Sequence, residues 1–74
     1  MTEQEALDLV RRLLKAVNDA ELTELIQRHL PEVDGVFFTT AESAARQLER
    51  EGKPNLAAAL RGLVGQILRM KTLI

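Results

Sequence analysis

Residues that stop or cap helices recur along this chain at helix-length intervals, and the apolar residues between them repeat with helical period. That combination confines the chain to an all-α fold. Thr2 followed by Glu5 fits a capping box, in which each side chain satisfies a backbone N–H at a helix start. Asn18-Asp19 ends one pattern and caps the next, because short amide and carboxylate side chains bond local backbone groups at such breaks. Pro31 disfavours helical geometry in the residue before it. Asp34 is placed to cap a third helix, with a later start capped by Thr39 ahead of Glu42 as the alternative. Gly52 supplies the left-handed residue that commonly closes a helix, and Pro54 suits the first turn of the next. The punctuation predicts one domain over residues 1–74, a small four-helix bundle with sequential helices antiparallel, at about 3–18, 20–30, 35–51 and 54–73.

Apolar stripes assign the core. In the first helix Ala6, Leu7, Val10, Leu13, Leu14 and Val17 share one side, with Leu9 and Ala16 outside it; Leu9 is either a second contact or an exposed leucine. Leu22, Leu25, Ile26, His29 and Leu30 follow helical spacing in the second. The run Val36-Phe37-Phe38-Thr39-Thr40 has strand propensity, but Phe37, Phe38, Ala41, Ala44, Ala45 and Leu48 occupy one helical arc, so periodicity favours a helix. In the fourth, Leu56, Leu60, Leu63, Val64, Ile67, Leu68 and Ile74 form a broad apolar side.

A 74-residue chain buries only about 60% of the surface it exposes when unfolded. Chains of this size usually add disulfides, a metal, unusually good helix packing or a second subunit. With no cysteine and one histidine, the last two are the open routes. Lack of cysteine fits a reducing, cytoplasmic setting, and the acidic, polar start Met1-Thr2-Glu3-Gln4-Glu5 is unlike a signal peptide. Arg61, Gln66, Arg69 and Lys71 interrupt the last apolar segment, so no transmembrane stretch of about 20 apolar residues is expected.

The last helix is unusual in two ways. Residues 53–74 contain four basic residues, Lys53, Arg61, Arg69 and Lys71, and no acid, whereas residues 1–52 contain eleven acids and six bases. The basic helix is thus expected to lie against acidic ones, or to offer a basic surface to a polyanion. Gly62 and Gly65 interrupt the same helix, each at a cost of about 1 kcal/mol relative to alanine. They fall with Arg61, Arg69 and Thr72 opposite the leucines, and with Ala58 they form a small-residue track. Either a second helix crosses this side or the glycines are tolerated at the surface.

Chemistry-bearing patterns are sparse. His29 lies on the apolar side of the second helix and is expected to be hydrogen-bonded at the helix end; with Glu32, and Asp34 if it converges, it falls short of an established metal-ligand spacing. Nothing in the spacing joins Ser43 to His29 and an orienting acid. The four glycines are scattered at 35, 52, 62 and 65, so no phosphate loop is present. Neither aromatic stacking residues on an exposed face nor a dense basic stripe marks nucleic-acid binding. No catalytic residue and no cofactor is predicted.

Two stretches, His29-Leu30-Pro31-Glu32-Val33-Asp34 leading to Phe37 and Leu48-Glu49-Arg50-Glu51-Gly52-Lys53-Pro54-Asn55-Leu56-Ala57 leading to Leu60 and Leu63, resemble helical-hairpin segments of little-characterised bacterial proteins, often appended to tetratricopeptide-type or caspase-like domains. The resemblance covers residues 29–70 and implies an all-helical interaction unit.

Taken together, these features predict a non-catalytic protein that works by association, as a homodimer or with a protein partner, through Ala58, Arg61, Gly62, Gly65, Arg69, Thr72 and Leu73, with Leu9 as a further candidate. The alternative is an anionic partner, nucleic acid or membrane surface, bound through Lys53, Arg61, Arg69 and Lys71.

Overall fold

The starts of the first three helices in the computed structural model, which describes residues 1–72, are each fixed by a local cap. Helix α1 (Glu3–Lys15) opens with the full Thr2/Glu5 capping box. Helix α2 (Asp19–His29) is capped by Asn18, whose side-chain oxygen accepts from the Glu21 N–H at 2.8 Å. Helix α3 (Gly35–Arg50) starts where Asp34 Oδ1 accepts from both the Val36 and Phe37 N–H groups, so the earlier of the two expected starts holds. Its end is a Schellman turn: Gly52, at φ 77°, lets Lys53 N–H donate to the Leu48 carbonyl and Gly52 N–H to that of Glu49. Helix α4 (Pro54–Thr72) follows at once.

The helices alternate in direction. Leu30 retains helical angles (φ −52°, ψ −43°) although a proline follows, because residues Leu30–Glu32 tighten into a 3₁₀ turn in which Pro31 needs no N–H partner. That turn reverses the chain and places the start of α3 beside the start of α1, where the Met1 ammonium meets Asp34 at 2.6 Å. The two helices therefore run parallel, and α4 returns along α3 until Lys71 Nζ donates to the Leu30 carbonyl at 3.2 Å. Helix α3 is central, packed most extensively against α4 and then α1, while α2 lies against α1.

The core gathers around Phe37, Leu60 and Ile67, all fully buried, with Ala6, Val10, Leu13, Ala41, Ala45 and Ala57 filling the space between α1, α3 and α4. Alanines at the crossings let the helix axes approach closely. The phenylalanine pair at the head of α3 packs edge to face, centroids 5.7 Å apart, with Phe37 inside and Phe38 half-buried.

Several residues depart from the stripes drawn on the sequence. Helix α1 ends at Lys15, not near residue 18, because Ala16 turns to extended geometry (ψ 131°) to reach the Asn18 cap; Val17 is consequently 82% exposed rather than core. Leu9, outside the expected stripe, is buried because α2 covers that side of α1. Leu7 and Leu14 are only half-buried. In α4 the inward arc is centred on Leu60, Val64 and Ile67, and Leu68 on its flank and Leu56 in its first turn are exposed. Ile74 lies outside the described residues.

Replacing Leu60 by Ala removes a fully buried side chain and is expected to cost about 3 kcal/mol, read as a lower midpoint in urea unfolding. The Met1–Asp34 pair predicts a pH window. The hydrogen bond to Asp34 holds the amino group above its ordinary 8.0, and the same bond, then those from Phe37 and Val36, holds the Asp34 carboxyl below 3.8. The amino group's contribution is complete below pH 8 and fades as pH rises through its elevated value. The carboxylate's is complete above pH 4 and fades as pH falls through its depressed value. Unfolding midpoints measured from pH 2 to 11 should show the wild type's advantage over Asp34→Asn confined between those limits.

Candidate functional site: an apolar groove between α1 and α3

Because α4 fills one side of the α1/α3 pair, the opposite side is left as an open groove of about 580 Å³. Its α1 wall carries Glu3, Leu7, Val10, Arg11 and Leu14, one helical face from the first turn to the last; its α3 wall carries Thr39, Thr40, Ser43, Ala44 and Leu48. The asymmetry is chemical as well as steric. Leucines project from α1, while α3 offers small hydroxyls and an alanine over its first turns and Gln47, Leu48 and Glu51 over its last. Leu7, Leu14 and Leu48 each remain half-exposed along it.

The surface anticipated on α4 is present but differently furnished. Ala58, Arg61, Gly62, Gly65, Arg69 and Thr72 are all exposed, and a methyl group added at Gly62 or Gly65 would meet nothing within 4 Å. Among the described residues, nothing exploits the missing side chains. Leu73 lies outside the described residues. The nearby Leu68, 48% exposed, adds apolar surface at the flank of this side.

The expected attraction between the basic last helix and earlier acids is realised. Arg61 reaches Glu49 at 2.7 Å and Glu42 at 3.6 Å on α3, and Glu42 also takes Arg46 at 3.4 Å. The hydrogen bond that Arg61 donates to Glu49 is the leading reason its guanidinium is held above its ordinary pKa. Lys53 sits 4.0 Å from Glu51, and Lys71 is used on the Leu30 carbonyl. Among the described residues, Arg69 is the cation of this helix with no such acceptor.

His29 is half-buried against a small hollow shared with Met1, Glu5, Asp8, Leu9, Arg12 and Glu32. Its Nδ1 is 3.6 Å from Glu32 Oε2, beyond a hydrogen bond, so the helix-end bond anticipated for it is not formed. Asp34 does not converge with them, since its carboxylate serves the α3 cap and the amino terminus. Among the described residues, no group of three or more His, Asp or Glu side chains is arranged to hold a metal ion. Ser43 lines the groove on α3, separate from that hollow. No described helix is long and apolar enough to cross a membrane.

Comparison of the chain with protein-family models, curated proteins and solved structures returns no match.

The glycines allow a direct measurement. Gly62→Ala and Gly65→Ala add a methyl group into open space on a regular helix, and each should stabilise the subunit by up to about 1 kcal/mol. Thermal unfolding at low protein concentration reads this. Loss of stability would show that something approaches that side of α4.

Proposed function

We propose that this chain is a non-catalytic helical protein that acts by protein–protein association, and that it pairs with a second copy of itself. One observation carries the reading: the groove between α1 and α3 keeps three leucines half-exposed along the length of two parallel helices. The chain is short and its core small, and leucines left at a surface trough are surface that association would remove from water, at about 25 cal/mol per Å². Paired helices presenting a trough are also a common way to receive another amphipathic helix.

The exposed side of α4, with Ala58, Gly62, Gly65 and Leu68, is a second surface open to contact. It is set on the far side of the bundle from the groove. A contact joining the two would be head-to-tail and would propagate rather than close, whereas groove against groove closes with two copies. Closure supports the groove as the dimer surface. The anionic-partner reading draws less support, because Lys53, Arg61 and Lys71 already face acceptors within the chain.

Sedimentation equilibrium tests the proposal. The expected species at about 100 μM is twice the 8.3 kDa chain mass, dissociating on dilution. A single 8.3 kDa species throughout a concentration series to about 1 mM would refute it.

A further inference from the structure

From the charges on the groove we infer the geometry of that dimer: two copies pack α1 antiparallel to α1 about a two-fold axis beside Leu7, each Glu3 pairing with the second copy's Arg11. The inference rests on the self-association proposed above and specifies its site.

Glu3 and Arg11 both border the groove, and each lies four residues from Leu7. A two-fold axis perpendicular to α1 at Leu7 therefore brings Leu7 onto its copy and sets Glu3 and Arg11 opposite each other twice, while Leu14 projects past the start of the copy's α1. A parallel arrangement about an axis along the helices forms neither pair. The two side chains are open to such an exchange. Among the described residues Arg11 pairs only with Asp8, at 3.9 Å with both side chains more than half exposed, and Glu3 makes no ion pair. Glu3 also borders a shallow recess with Thr39 and Gly35, so the start of α3 lies level with the start of α1. The same axis then brings the small-residue part of α3, with Thr39 and Ser43, toward its copy, where small side chains permit close approach.

Charge exchange tests the arrangement. Glu3→Arg gives a chain with arginine at both ends of the contact, and Arg11→Glu one with glutamate at both. Each alone should dimerise at least about tenfold more weakly than wild type in sedimentation equilibrium, because two ion pairs become two like-charge contacts. An equimolar mixture should recover a heterodimer, and Glu3→Arg/Arg11→Glu should dimerise like wild type. Circular dichroism reports whether each variant retains its helix content. As a second measurement independent of charge, Leu7→Cys introduces the chain's sole thiol, which a short bis-maleimide should link into dimers, whereas Gly62→Cys on α4 should give none. Wild-type dimers whose affinity the single exchanges leave unchanged, or cross-links at position 62 instead of 7, would overturn the geometry while leaving self-association standing. A wild type that remains monomeric overturns both.

Discussion

Close packing of α3 between α1 and α4 is the constraint on which the rest of this structure depends. The three fully buried large side chains, Phe37, Leu60 and Ile67, come from α3 and α4, and the alanines at 6, 41, 45 and 57 on α1, α3 and α4 keep the helix axes near one another. Small residues at the crossings economise on volume, which suits a chain of only 74 residues. They also leave no room for a thicker core. Surplus leucines are displaced outward, to the α1/α3 groove and the flank of α4, and those are the places where another molecule gains most by binding.

Electrostatics holds the same arrangement in place without creating a field. Arg61 bridges α4 to Glu42 and Glu49 of α3, so part of the basic character of the last helix is used within the subunit. Such exposed pairs contribute little to stability individually. Their structural effect is alignment: they favour one rotation of α4 about its axis, the rotation that leaves Gly62 and Gly65 outward.

Local features were legible in the sequence because they are decided by neighbours within a few residues. The Thr2/Glu5 box, the Asn18 and Asp34 caps and the left-handed Gly52 each close hydrogen bonds inside one turn, so residue type alone reveals them. The rotation of each helix was less legible, because it depends on where partners lie. Leu9 is buried by α2, Leu7 and Leu14 open onto a groove whose other wall is more than thirty residues away in the chain, and Leu68 misses an arc centred on Leu60 and Ile67. A helical wheel contains none of that information. Val17 failed for a simpler reason, since the chain had already left the helix at Ala16 to reach the next cap. The groove could not be drawn from either helix alone; its only trace in the sequence was an apolar arc on α1 wide enough to serve two sides.

One short stretch has an architectural role out of proportion to its length. The Leu30 carbonyl closes the 3₁₀ turn through Val33 N–H and also receives Lys71 from the last turn of α4, while Asp34, four residues on, caps α3 and receives the Met1 ammonium. The first turn of α1 and the last turn of α4 are therefore both moored to residues 30–34. A change within residues 30–34 therefore meets the start of α1 and the last turn of α4 together, through contacts that lie outside the hydrophobic interior.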